Sequence, residues 1–69
     1  MSNLLRMPTA DELAELSHYE LGECVRAAFF QWQKTIQKGE DPAESKQIFH
    51  AYDNEQLKRF ERVKKYLTK

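Results

Sequence analysis

A single strong break between two long helical patterns constrains the fold of this chain more than any other feature. Gly39 is suited to the end of one helix, and Asp41 followed by Pro42 is suited to the start of the next. Because the connection has only about three residues, the two helices must run antiparallel. The sequence therefore predicts a helical hairpin, with helices over residues 18–38 and 42–67.

A shorter helix is predicted ahead of the hairpin. Two capping boxes, each a hydroxyl residue followed three positions later by a glutamate, begin at Thr9 and at Ser17. They indicate a short helix over residues 9–16, with residues 1–8 as a flexible N-terminus. A further cap-like pattern at Asp53 leaves open whether the last helix bends there. With no alternating strand pattern anywhere, we expect one all-α domain of three helices.

The two long helices each carry an apolar stripe when residues are placed at about 100° intervals. The stripe of the second helix contains Leu21, Val25, Ala28, Trp32 and Ile36, flanked by Cys24 and Phe29, and that of the third contains Ile48, Phe49, Tyr52, Phe60, Val63, Tyr66 and Leu67. In an antiparallel hairpin, equal rise per residue pairs positions whose numbers sum to about 81. Trp32 is then expected against Phe49 and Leu21 against Phe60. The middle of the hairpin, where Gln56 falls, should be more polar than its ends.

Composition excludes several classes of protein. Hydrophobic residues make up 41% of the 69 residues, too many for a disordered chain, and no apolar run approaches the roughly 20 residues of a membrane span. The N-terminus lacks the apolar core of a secretory signal. One cysteine cannot form an internal disulfide and fits a reducing compartment. We therefore expect a cytoplasmic protein without a cofactor, a metal or a membrane partner.

An enzyme is not expected from these residues. Cys24 lies at the edge of the apolar stripe beside Glu20 and Glu23, which disfavour the thiolate that a nucleophile requires. His18 and His50 are interpreted as solvated side chains, because no second cluster completes a set of metal ligands. A thiol- or metal-dependent enzyme on Cys24 or His50 is the least favoured alternative.

Basic side chains are concentrated near the C-terminus, although 11 basic and 11 acidic residues leave no net charge. The candidate nucleic-acid contacts are Lys58, Arg59, Arg62 and Lys65. Such a ridge would bind phosphates in a salt-sensitive manner. The competing interpretation is that these cations complement the helix dipole and pair with Glu20 and Glu23 across the hairpin. A small nucleic-acid-binding regulator is therefore the second hypothesis.

The outer face of the second helix supplies the leading hypothesis. The candidate interface residues are Tyr19, Arg26, Phe30 and Gln33, and Phe30 points about 160° from the apolar stripe. Tyrosine, phenylalanine and arginine are enriched at interface centres. The first helix is expected to cover the end near Tyr19 and leave Phe30 exposed. We expect a non-enzymatic interaction protein, an adaptor, inhibitor or chaperone-like regulator, that binds a protein partner or a second copy of itself, the latter giving a four-helix bundle.

Overall fold

Three helices and short connections make up the part of the chain that the structure describes. The structure is a computed structural model, in which the backbone of residues 5–67 and the side chains of residues 5–64 are described. The helices are α1 (Ala10–Glu15), α2 (His18–Gln37) and α3 (Ala43–Leu67). The long helices α2 and α3 pack against each other as a hairpin, which confirms the predicted fold. Helix α3 is assigned without interruption through Asp53.

Both predicted capping boxes begin helices. At the start of α1, the backbone N–H of Thr9 donates to the Glu12 carboxylate (2.8 Å) and the backbone N–H of Glu12 donates to the Thr9 hydroxyl (3.1 Å). Ser17 and Glu20 repeat the arrangement at the start of α2, with distances of 2.9 and 3.0 Å. Each box satisfies two N–H groups that the helix itself cannot pair, so the chain bends between α1 and α2 at low energetic cost.

The hairpin turn is built from the residues that the sequence indicated. Gly39 has a φ of 76°, in the left-handed region where a Cβ would be strained. The Glu40 N–H donates to the Thr35 carbonyl at 3.1 Å, which closes the end of α2 in a Schellman motif. Helix α3 begins one residue later than predicted, because the Pro42 carbonyl accepts the first helical bond, from Lys46. The Asp41 carboxylate accepts from the Ala43 N–H at 3.0 Å.

Helix pairing follows the predicted register near the turn and departs from it at the far end. The Trp32 and Phe49 rings lie 5.6 Å apart between centroids, as expected. The predicted pairing of Leu21 with Phe60 is wrong, since Leu21 is buried whereas the Phe60 side chain is 65% exposed. The far end contains Arg59, which contacts His18 instead of extending the apolar stripe.

The buried core is shifted from the position predicted by the apolar stripes, toward the side of the hairpin on which α1 packs. Its fully buried apolar residues are Leu21, Ala28, Ile48 and Tyr52. On α2, the half-buried Gln31 and Thr35 take the place expected for Ile36, which is 54% exposed. The buried stripe is thereby rotated by about 40° around α2, judged from the spacing of residues along a helix. Trp32, expected in the core, is half-buried.

The C-terminal part of α3 extends beyond its partner helix. Helix α2 has 20 residues and α3 has 25, which correspond to lengths of about 30 and 37 Å. Phe60 and Val63 were predicted to be buried, yet they are 65% and 51% exposed. Val63 lies beyond the start of α2 at His18, whereas Phe60 lies near that start and points about 80° from the buried Tyr52 around α3. Tyr66 and Leu67, also predicted in the stripe, have side chains outside the described set.

The N-terminal segment packs along one side of the hairpin. The Leu5 backbone N–H donates to the Gln31 side-chain oxygen at 2.8 Å, and the Gln31 amide donates to the Leu5 carbonyl at 3.2 Å. Leu13 and Leu16 of α1 pack against the core with Leu5. Leu5, within the N-terminal residues expected to be flexible, is thereby joined to α2. One expectation needs correction: Tyr19, expected to be covered by α1, is 77% exposed.

No helix within residues 5–67 is long and apolar enough to cross a lipid bilayer.

Candidate interaction face

A cluster of aromatic rings lies on the side of the hairpin opposite the N-terminal segment. Phe29 and Trp32 of α2 meet edge to face, with centroids 6.3 Å apart. Phe49 of α3 lies 5.7 Å from Phe29 and 5.6 Å from Trp32, and His50 adds a ring 5.4 Å from Phe49. Rings at these separations attract one another beyond simple area burial. The cluster fixes the shape of this side of the molecule.

Further apolar side chains continue the same side in both directions along the hairpin. Ile36 follows Trp32 by four residues and Phe60 follows Phe49 by eleven, spacings that return to the same face of a helix. We call this surface the open face and define it as Phe29, Trp32, Ile36, Phe49 and Phe60. Phe29 is 41% exposed, Ile36 54% and Phe60 65%, while the other two are half-buried. Large apolar side chains aligned in this way mark interaction surfaces.

The opposite side of the hairpin is covered and holds Cys24. A groove of about 480 Å³ lies there, and its lining includes Arg6, Glu12, Leu16, Cys24 and Tyr52. Partial burial raises the pKa of the Cys24 thiol above its ordinary value of 9.0, and the nearby carboxylates of Glu20 and Glu23 raise it further. The thiol is therefore protonated near neutral pH.

Tyr52 forms part of the floor of this groove. Its pKa is raised above 10.0, chiefly because its phenol is removed from water, with smaller contributions from Cys24 and Glu12 and an opposing one from Arg6. The groove is therefore lined by two uncharged groups, the Cys24 thiol and the Tyr52 phenol, together with charged side chains such as Arg6 and Glu12.

The outer face predicted from the sequence is exposed but discontinuous. Phe30 and Tyr19 are 59% and 77% exposed. They are separated by eleven residues, about 16 Å along the helix, and Arg26 between them lies 3.7 Å from Glu23. Gln33 is also exposed. These four side chains share one edge of α2, and among the described residues neither Tyr19 nor Phe30 makes a ring contact like those around Phe49.

One member of the predicted basic ridge, Arg59, is largely buried and bonded within the protein. The Arg59 guanidinium donates to the Glu55 carboxylate at 3.0 Å and to the Leu13 carbonyl at 2.8 Å. Its remaining nitrogen lies 3.2 Å from the His18 Nδ1, which must accept because a guanidinium has no lone pair to offer. The Arg59 side chain is only 13% exposed, so it ties α1 to the hairpin and is not presented to a ligand.

The remaining members of the ridge differ from Arg59. Lys58 and Arg62 are exposed, one helical turn apart, whereas the Lys65 side chain lies outside the described residues. The acidic partners suggested for the ridge have local contacts: Glu23 pairs with Arg26, and Glu20 caps α2. The described histidine, cysteine and carboxylate side chains do not gather in a group of three or more that would hold a metal ion.

Sequence reasoning identified the members of the open face but placed them in the core. Trp32, Ile36, Phe49 and Phe60 were all assigned to buried stripes. One signal in the sequence could have revealed the open face. The two apolar stripes contain more aromatic residues than two helices of unequal length can bury against each other. Arg59 was likewise missed as a structural residue, because its contacts with Leu13 and His18 span more than 40 positions.

Comparison with known proteins adds no relative, since no family model, no curated protein and no solved structure matches this chain.

Proposed function

We propose that this protein is a non-enzymatic protein–protein interaction module and that it binds its partner through the open face. The observation that carries the proposal is the aromatic cluster of Phe29, Trp32 and Phe49, held together by ring contacts and still accessible to solvent. Pre-organised aromatic side chains are the usual anchors of protein interfaces, because they bury a large area with little loss of conformational entropy.

The open face is favoured over the outer face of α2 because three of its aromatic rings, those of Phe29, Trp32 and Phe49, are in mutual contact. Anchor residues act in clusters from which water is excluded. Phe30 alone, with an ion-paired arginine one turn away, provides a smaller patch. Binding through Tyr19, Arg26, Phe30 and Gln33 remains a distinct proposal that the same experiment tests.

Site-specific photo-crosslinking in the native host tests both surfaces. A benzoyl-phenylalanine replaces Phe29 or Phe60 on the open face, and in matched chains it replaces Phe30 on the outer face; all three side chains are exposed enough to accept it. We expect polypeptide adducts from positions 29 and 60 and much weaker adducts from position 30. Adducts from position 30 alone would move the interface to the outer face, and the absence of adducts at every position would refute the proposed function.

Nucleic-acid binding is the second candidate function. It rests on the exposed pair Lys58 and Arg62, which would contact backbone phosphates. The commitment of Arg59 to internal hydrogen bonds and the absence of net charge both weaken it. A mobility shift that weakens with salt and is lost on Lys58→Glu/Arg62→Glu would support it.

A further inference from the structure

We propose that the occupant of the open face is a second copy of this chain, placed by a twofold axis parallel to the hairpin so that α2 of each copy lies over α3 of the other. This inference rests on the proposed function and names its partner. The two open faces would meet and form a four-helix bundle. Which residues meet across the axis is determined by the positions of α2 and α3 that lie at the same height along the hairpin.

Contacts within one copy establish those heights. Thr35 and Ser45 hydroxyls lie 3.0 Å apart, and their numbers sum to 80. Farther from the turn, a Cβ added at Gly22 would lie 3.9 Å from the Gln56 amide nitrogen, and those numbers sum to 78. Positions that sum to about 79 therefore share a height along most of the hairpin. A twofold axis parallel to the helices preserves height, so each residue of α2 faces the corresponding position on the α3 of the other copy.

Charges at the rim of the open face are complementary in this arrangement. Arg26 on α2 and Asp53 on α3 have numbers that sum to 79, and both project between the open face and the outer edge of their helix. Arg26 of each copy would lie beside Asp53 of the other, and the symmetry makes the pair twice. Among the described residues of the single chain, the charged partner of Arg26 is Glu23, in a solvent-exposed ion pair that is weak enough to exchange for Asp53 of another copy.

Phe60 extends the contact toward the far end. It is 65% exposed and lies at the height of Tyr19, which is on the outer edge of α2 with Phe30 and therefore outside the apolar contact. In the dimer, the start of α2 of the second copy would lie over Phe60, which points about 80° from the buried Tyr52 around α3. Phe30 points to the outer edge and would lie outside the contact.

Two whole-chain properties agree with self-association. The protein has 11 basic and 11 acidic residues, so two copies do not repel each other through net charge. The fully buried apolar core comprises four side chains among the described residues, which is small for a chain of this length. A symmetric contact would enlarge that core with residues already present on the open face.

Exchanging the charges of Arg26 and Asp53 tests this arrangement in the 69-residue chain. Sedimentation equilibrium from about 1 µM to about 1 mM measures the dissociation constant of the dimer, a range that covers weak and moderate homodimers. Arg26→Asp and Asp53→Arg each place like charges opposite one another twice in a homodimer, and we expect each to raise the dissociation constant at least about tenfold. The matched control, Phe30→Asp, should leave it within about threefold.

Mixing the two single variants separates this geometry from all others. An Arg26→Asp chain and an Asp53→Arg chain pair favourably at both contacts, so the mixture should form a heterodimer within about threefold of the wild-type dissociation constant. The double variant should recover as a homodimer for the same reason. Recovery in the mixture also demonstrates that both single variants remain folded. A wild-type chain that is monomeric throughout the range, or a mixture no tighter than its components, overturns the inference.

The outcomes distinguish this inference from the function on which it rests. A monomeric chain whose positions 29 and 60 crosslink to a different polypeptide in the host refutes self-association and retains the interaction module. A dimer whose charge-exchange mixture recovers, with adducts of chain to chain at those positions, supports both. The absence of adducts at every position refutes the proposed function itself.

Discussion

Single side chains decide where the helices of this protein begin. The Asp41 carboxylate accepts the Ala43 N–H at the start of α3, and Pro42 has no N–H that would need a partner. We expect Asp41→Ala to lower the free energy of unfolding by about 0.5–1 kcal/mol, since an exposed cap is lost. Pro42→Ala should change it by less than about 0.5 kcal/mol. Urea titrations followed by circular dichroism measure both, and the reverse ranking would contradict this account of the helix start.

Glu20 provides a pH-dependent contribution at the start of α2. Hydrogen bonds from the Ser17 backbone and side chain lower the pKa of Glu20 below its ordinary value of 4.5, although the carboxylate is fully exposed. A carboxyl whose pKa is lower in the folded state stabilises the fold above its unfolded pKa, and the contribution is lost as pH falls through the folded pKa. Glu20→Gln should therefore cost stability near pH 7 and progressively less below about pH 4.5.

Thermal melts of the two chains between pH 7 and pH 3 measure that difference. Glu15→Gln is the matched control, because Glu15 is an exposed carboxylate at the end of α1 and not in a capping box. A gap between wild type and Glu20→Gln that stays constant across the acid range would contradict the capping assignment.

At the scale of helices, Arg59 joins three elements. It lies on α3, bonds to Glu55 one turn earlier, and reaches the Leu13 carbonyl at the end of α1 and His18 at the start of α2. A largely buried cation that makes hydrogen bonds to a carboxylate and a carbonyl is costly to remove, because its partners are left unpaired. We expect Arg59→Met to lower the free energy of unfolding by about 2 kcal/mol.

Lys58 supplies the matched control for Arg59. It is the adjacent cation on α3 and is exposed. Lys58→Met should change stability by less than about 0.5 kcal/mol. Limited proteolysis within residues 9–17 should accelerate in the Arg59 variant and not in the Lys58 variant, because the cation that holds α1 has been lost. Equal effects of the two substitutions would mean that Arg59 does not fix α1.

For the whole molecule, the difference between Leu21 and Trp32 tests where the core lies. Leu21 is 1% exposed and belongs to the core cluster, whereas Trp32 is half-buried on the open face. Leu21→Ala should cost about 2–5 kcal/mol, enough to unfold much of a chain with so small a core. Trp32→Ala should cost less, although tryptophan is larger, because water already contacts part of its ring.

Thermal melts at a concentration where the chain is monomeric measure this ranking without a contribution from self-association. A Trp32→Ala chain that unfolds while Leu21→Ala remains folded would restore the core position that the sequence pattern favoured. Wild-type melting temperatures that rise with protein concentration would be the corresponding signature of a dimer.

Local chemistry in the sequence determined the helices and the hairpin. The capping boxes at Thr9 and Ser17, the left-handed Gly39 and the Asp41–Pro42 start each act within a few residues, so the printed order of residues contains all the information needed. The antiparallel arrangement followed from the short connection. The Trp32–Phe49 contact was predictable for the same reason, because it lies close to the turn and little helical drift accumulates.

Tertiary structure alone decided which side of the hairpin is covered. Each apolar stripe of the hairpin is wider than the strip that the facing helix can cover, so it has two uncovered edges. The sequence pattern does not indicate which of these edges a third element will cover. The Gln31–Leu5 and Arg59–Leu13 hydrogen bonds, between residues 26 and 46 positions apart, place the N-terminal segment on the Cys24 side. Phe29 and Ile36 are left exposed as a result. The open face exists because the chain has one short helix to cover a hairpin with two sides.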